Sequence, residues 1–341
     1  MVADGYGSII RGDLMEKMIL KSQQRKLIVS PFSLSAALAL AYDGAAGNTS
    51  SQFKTLFDGK TKAQVKAAVS DVEGMMRKSH SLMHSAQRLF IQMGRRGAMW
   101  LPFLAACRAK GNCHYEHIQF FKALGAADRI NSWVSSETGG LIPKIVEGGE
   151  LGSSGPPDMT SIGGCRNVNY DELRGKVMLE MMSYGGAVRL PYYENEELEE
   201  LAILLPKRDD GWDSIYALRE VALGWREEAV EVFLPKWRVE TSAPDLKKPL
   251  QELGLKDAFG PNADFTNMLP YNGHIANIFH KIHFEVSEQG VEAVGAASAN
   301  LRSSLLPIGR SSKRFLPERP FVYGVVLGRT NVLLAGVFSG D

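Results

Sequence analysis

Gly290-Val291-Glu292-Ala293-Val294-Gly295-Ala296-Ala297-Ser298-Ala299 is the stretch that decides the reading of this chain, because every residue in it except Glu292 is Gly, Ala, Ser or Val. Two conformations suit such a composition. Alanine favours helix and small residues favour flexible linkers. Read with period two, however, Val291, Ala293, Gly295, Ala297 and Ala299 share one small apolar face, with Glu292, Ser298 and Asn300 on the other. A strand with that inward face could enter between two existing strands without clashing. A long polar side chain there would be buried unsatisfied, at about 1–3 kcal/mol or more.

Outward from this loop the chain reads as α+β. Leu34–Tyr42 is apolar nearly all round and predicts a buried helix, with Ser30-Pro31 as its start and Gly44 and Gly47 at its end. Further helices are expected over 63–76, 103–110, 124–136 and 249–253. The third of these is closed by Thr138-Gly139-Gly140. Strands are expected over 86–92, 177–182, 201–205, 230–234 and 278–286. A final hairpin joins 321–327 to 332–338 through Gly328-Arg329-Thr330-Asn331. Helices come first and strands dominate later, which favours α+β over a doubly wound sheet. Between Val146 and Lys176 no apolar pattern is sustained, and a structureless run is expected there.

Composition narrows the function. The chain has 341 residues, 23% of them charged, with a formal charge of +1. Nucleic-acid and membrane-surface roles need a basic excess that is absent. No apolar run is long enough to cross a bilayer. No G-x-S-x-G elbow, phosphate-binding G-x-x-x-x-G-K-[ST] loop or H-E-x-x-H pair occurs. Cys107, Cys113, His114 and His117 match no standard zinc spacing and read more simply as ordinary surface and core residues. Arg11-Gly12-Asp13 reads as a chance tripeptide at a helix start. Asn48-Thr49-Ser50 is a formal glycosylation acceptor that matters only on the secretory route. Three cysteines, an odd number, do not read as a disulfide framework, and the N-terminus lacks a basic start followed by an apolar core. A protein this large with no catalytic set is expected to bind rather than convert.

Several ordered motifs then carry a family resemblance. Glu288-Gln289-Gly290-Val291-Glu292-Ala293, followed by small residues, resembles the proximal hinge of inhibitory serpins. Val29–Leu38 with Gly44–Thr49 resembles the family's central buried helix. Asn131-Ser132-Trp133-Val134 with Thr138-Gly139-Gly140-Leu141-Ile142 is similar to the end of the helix lying across its main sheet. Leu234-Pro235-Lys236-Trp237, Leu253–Phe259, Asp264-Phe265, His280-Lys281 and Arg319-Pro320-Phe321 follow in the family's order.

The resemblance implies one serpin-like domain over 1–341, with N-terminal helices packed on large, mainly antiparallel sheets and a reactive loop at about 288–319. It implies a monomeric suicide substrate that forms a covalent acyl complex with a serine protease, with no cofactor or metal. The hinge would comprise Glu288, Gly290, Val291, Glu292, Ala293, Val294, Gly295, Ala296 and Ala297. Counted in the family's register from Glu288, the scissile bond is Ser304–Leu305, with Arg302, Leu306 and Arg310 as alternative bait residues. Leu305 and Leu306 suit chymotrypsin- or elastase-like pockets. Counting back from Pro320 instead falls near Gly309. Localisation stays open between extracellular, by analogy with the family, and cytoplasmic.

The resemblance breaks after Val146. The family's long central strand is only echoed, in Val168-Asn169 and Arg174-Gly175-Lys176, with Tyr170-Asp171-Glu172-Leu173 in place of an apolar run. That strand would wall the slot that receives the loop, and Asn169 would join Ser30, Ser33 and His280 in a buried polar network beneath it. A non-inhibitory binding protein or inactive variant is therefore the alternative function.

Overall fold

Phe321–Leu327 (β13) and Asn331–Phe338 (β14) are almost wholly buried, as their unbroken apolar runs require. Their turn uses Gly328 at φ +60°. This hairpin supplies the second and third strands of a seven-stranded, all-antiparallel sheet. Its other members are Lys26–Val29 (β1), Glu199–Leu204 (β7), Ala187–Pro191 (β6), Val177–Glu180 (β5) and Arg226–Glu228 (β8), in the order β1-β14-β13-β7-β6-β5-β8. The computed structural model describes residues 26–78, 84–92, 103, 105, 114–120, 122–151, 159–166, 177–180, 187–191, 199–204, 226–228, 231–232, 234–235, 237–242, 246–270, 273–286, 314–317, 320–328 and 331–338.

A second sheet has five strands in the order β10-β11-β4-β2-β3: Trp237–Ser242 (β10), Ile275–Val286 (β11), Met159–Arg166 (β4), His84–Gln92 (β2) and Tyr115–Ile118 (β3). A two-stranded ladder pairs Arg314–Phe315 (β12) with Glu231–Val232 (β9). The expected strands at 86–92, 177–182, 201–205 and 278–286 and the closing hairpin are all present, within a few residues at each end. The short strands β1, β3, β6, β8, β10 and β12 carry too little alternation to announce themselves.

The structureless run expected over 146–176 needs correction. Met159–Arg166, Met-Thr-Ser-Ile-Gly-Gly-Cys-Arg, is a full strand at the centre of the five-stranded sheet. Two adjacent glycines and few β-branched residues give it little strand propensity of its own. Neighbours on both sides supply its backbone partners, β2 antiparallel and β11 parallel, so tertiary pairing overrides the local signal.

Helices cover both faces of this sheet. On the inner face Pro31–Gly44 (α1) is buried nearly all round. Ser30 caps it and Pro31 opens it, where a missing N–H costs nothing. Its last turn docks on Gly47–Leu56 (α2), with Tyr42 stacked between Phe53 and Phe57 at 5.5 and 5.6 Å. Lys62–Lys78 (α3) follows, more exposed, with Val65 and Val72 buried. A short helix, Lys247–Glu252 (α5), contributes Leu250 to the same core cluster as Phe53 and Phe57.

On the outer face lies Ala123–Glu137 (α4). Ala126, Ala127, Ile130, Trp133 and Val134, spaced for one helix face, meet Phe90, Ile118 and Phe120. Phe279 of β11 packs against the same cluster, which also takes in Ile142, Ile145, Val146 and Leu151 from the chain after α4.

Candidate functional site

Within the five-stranded sheet, β11 meets β4 along one seam. These strands pair directly and in parallel, from Ile275↔Met159 to Ile282↔Cys165, with His280 opposite Gly163 and Lys281 opposite Gly164. Alternation along β11 sends His280, Ile282, Phe284 and Val286 toward the inner core, and Phe279, Lys281 and His283 toward the outer face.

Three of the four residues expected under the slot come together on the inner side. The Ser30 backbone N–H donates to His280 Nε2 at 3.2 Å. Ser30 Oγ accepts from the Ser33 backbone N–H at 3.1 Å and donates to the Leu333 carbonyl at 2.7 Å. An Nε2 that accepts from an amide belongs to a neutral ring carrying its proton on Nδ1. Leu333 is the extra residue of a β-bulge in β14, since Val325 faces Leu334 while Val326 faces Val332. The Ser30 hydroxyl thus supplies a partner to a carbonyl at a break in the ladder. Ser33 is fully buried, and its Oγ has no hydrogen-bond partner among the described residues.

The fourth residue, Asn169, lies outside the described residues. The wall strand was expected at Val168–Lys176 and is instead Met159–Arg166, which puts glycine at the position facing His280. The register of two neighbouring strands fixes that placement, and the local sequence does not reveal it. The hinge residues Glu288 and Gly290–Ala297, the bait residues Arg302, Ser304, Leu305, Leu306 and Arg310, and the cysteines Cys107 and Cys113 also lie outside the described residues. His114 directly precedes β3 and His117 belongs to it. Among the described residues no group of three or more His, Cys, Asp or Glu side chains could hold a metal ion.

The outer side of the seam is fastened by residues whose roles sequence patterns did not reveal. Lys281 Nζ donates to the Lys144 carbonyl at 2.9 Å and pairs with Glu240 Oε1 of β10 at 3.0 Å. That hydrogen bond from Lys281 holds the Glu240 carboxyl below its ordinary range. Asn131 of α4 satisfies three backbone groups of the returning chain. Its Oδ1 accepts from Ile145 N and Val146 N at 2.8 and 3.1 Å, and its Nδ2 donates to Val146 O at 2.9 Å. Thr138 Oγ1 accepts from Ile142 N at 3.1 Å, and Gly139 and Gly140 turn the helix end at φ +58° and +83°. Toward β3, Arg88 Nη1 meets Glu116 Oε2 at 2.6 Å and lies over the Trp133 ring at 4.7 Å, while Glu116 also holds Arg129 at 2.5 Å.

Comparison with known proteins places these features in a wider set. The family model described as "Serpin (serine protease inhibitor)" matches residues 12–155 and 178–339. The human protein Serpin B8 is 30% identical, over 94% of this chain and 94% of its own length. A Sus scrofa protein named leukocyte elastase inhibitor is 26% identical, over 96% of each chain. The crystal structure of native protease nexin-1 with heparin superposes with a TM-score of 0.79 at 19% identity, covering 96% of both chains. The α+β architecture is therefore that of these proteins. The family match breaks between residues 155 and 178, and β4 falls within that gap.

Proposed function

The chain belongs to the serpin family, and from that premise we propose that it inhibits a serine protease as a suicide substrate, with Ser304–Leu305 as the reactive bond. The protease serine attacks the Ser304 carbonyl carbon, and an ester forms while the bond to the Leu305 nitrogen breaks. The Leu305 amine leaves protonated and the acyl-enzyme remains. The freed segment that follows β11 then folds back into the sheet between β11 and β4. The inhibitor needs no catalytic group of its own.

The observation that carries this reading is the direct parallel pairing of β11 and β4. A strand that turns back immediately after β11 runs antiparallel to β11, and therefore antiparallel to β4 as well. Insertion exchanges one parallel seam for two antiparallel ones, which are slightly more stable per residue. It also buries the small-residue face of 290–299. The five-stranded sheet is thus a state with a lower one available to it, the stored-strain arrangement of a loop-insertion switch. Leu305 and Leu306 favour a chymotrypsin- or elastase-like target over a trypsin-like one.

Incubation with chymotrypsin, elastase and trypsin, followed by denaturing electrophoresis, tests the reading. A denaturant-stable complex is expected with one of the first two enzymes, together with a released peptide that begins at Leu305. A first cut after Arg310 would overturn the register.

A second reading, a non-inhibitory binding protein, draws on the wall strand. β4 lies where the family match breaks, and its Gly163 is the residue opposite His280, while Asn169, which the resemblance implies for the polar network, lies outside the described residues. Clean cleavage with no stable complex, and no gain in heat stability afterwards, favours that reading.

A further inference from the structure

Over the described residues, β11 extends past the strand it meets across the seam. Its pairing with β4 ends at Ile282↔Cys165, while its pairing with β10 continues to Val286 opposite Trp237. Among the described residues, His283, Phe284, Glu285 and Val286 are therefore held by a neighbouring strand on one side only. They are also the last described residues before the hinge.

His283 begins this half-paired stretch. It sits three positions from His280 and so faces the other side of the sheet. It is 2% exposed, and its Nδ1 has no hydrogen-bond partner among the described residues. The charged groups facing it there are Glu240, directly opposite on β10, Arg238 on the same strand, and Lys281 and Glu285 on β11 itself. On β4 the next position after Cys165 is Arg166. Lys281 already occupies Glu240, at 3.0 Å. Burial, reinforced by Arg238, pushes the imidazole below its ordinary value, and Glu240 and Glu285 offset this only in part.

We propose that His283 is an acid sensor at the mouth of the seam, whose protonation releases the end of β11 from the sheet. An imidazolium at this position would lose its hydration with no unpaired carboxylate among the described residues to replace it, so the proton is taken up by conformations that expose the ring. Over the described residues, 283–286 is the part of β11 where such exposure disturbs fewest backbone bonds. One linked proton can raise the open population by at most about tenfold per pH unit below about 6.5, the ordinary histidine value. Under the proposed function the loop enters at this mouth, so acid would shorten the life of the inhibitory state. The sensor itself does not depend on that reading.

Amide hydrogen exchange from pH 7.5 to 5.5, corrected for the intrinsic pH dependence, tests the proposal without any protease. In the parent protein, protection of residues 283–286 is expected to fall several-fold, by up to about tenfold, between pH 6.5 and 5.5, while 275–279 hold steady. In His283→Phe, with His280 retained, the fall should disappear. A flat profile in the parent, or the same fall in the variant, overturns the proposal. If the variant does not fold, NMR titration of the parent's His283 ring replaces it. The ring midpoint must coincide with the loss of protection at 283–286, and a ring that titrates without that loss overturns the proposal.

Discussion

Replacing Ser30 by alanine removes one oxygen that serves two elements at once. Ser30 Oγ caps α1 by accepting from Ser33 N and satisfies the bulge carbonyl of Leu333 by donating to it. Loss of a serine N-cap costs about 1 kcal/mol. Leaving a buried carbonyl short of its partner costs about 1–3 kcal/mol more. Ser30 is 1% exposed and Leu333 fully buried, so water cannot take the place of the hydroxyl without rearrangement. The sum, about 2–4 kcal/mol, is a large share of the roughly 5–15 kcal/mol that holds an ordinary domain.

The comparison variant is Ser35→Ala, one turn along the same helix and equally buried. Among the described residues Ser35 Oγ donates only to Pro31 O, at 2.6 Å, a carbonyl within its own helix. Such a bond contributes little to a helix, so a loss below about 1 kcal/mol is expected. Urea unfolding of the native state, followed by tryptophan fluorescence, measures both. A Ser30→Ala loss below about 1 kcal/mol, or one equal to that of Ser35→Ala, would refute the account of Ser30 as the joint between helix and bulge.

Three further outcomes are expected. Asn131→Ala leaves Ile145 N, Val146 N and Val146 O without their side-chain partner; a loss of about 2–4 kcal/mol in the same assay is expected, with Asn131→Asp keeping the two accepted bonds and losing less. Arg88→Ala removes both the Glu116 ion pair and the contact over Trp133; it should cost about 1–3 kcal/mol, and faster amide exchange in 126–134 would locate the effect at α4. The third outcome concerns acid: Glu240 titrates below its ordinary value because of Lys281, so its contribution is complete above about pH 4.3 and is lost as pH falls through the depressed value. Lys281→Met should therefore flatten the fall of the thermal midpoint below about pH 4.3, a window separate from that of His283.

Much of the fold was legible because its strongest elements carry their own pattern. α1 is apolar all round and bounded by Ser30-Pro31, and β13 and β14 are unbroken apolar runs joined by a glycine turn. Ser30, Ser33 and His280 were legible as a group only through family resemblance, since 250 residues separate Ser30 from His280. Asn131 and Lys281 stood within recognised motifs, but Asn131 bonds backbone amides and a carbonyl, and Lys281 bonds a backbone carbonyl and a carboxylate on another strand, partners that no local side-chain pattern encodes. His283 carried no signal apart from its parity, because its significance depends on which strands pair with β11, and those lie far off in sequence.

The small-residue loop at 290–299 is a property of the sequence itself: side-chain size and period-two alternation are local, and they determine that this segment could lie in a sheet. Whether a seam exists to receive it was a tertiary matter. The chain builds that wall from Met159–Arg166, a segment whose own propensity argues against a strand, because β2 and β11 both present backbone donors and acceptors that must be paired when buried. Local sequence determined what the loop can become; strand register determined which residues line the seam between β11 and β4.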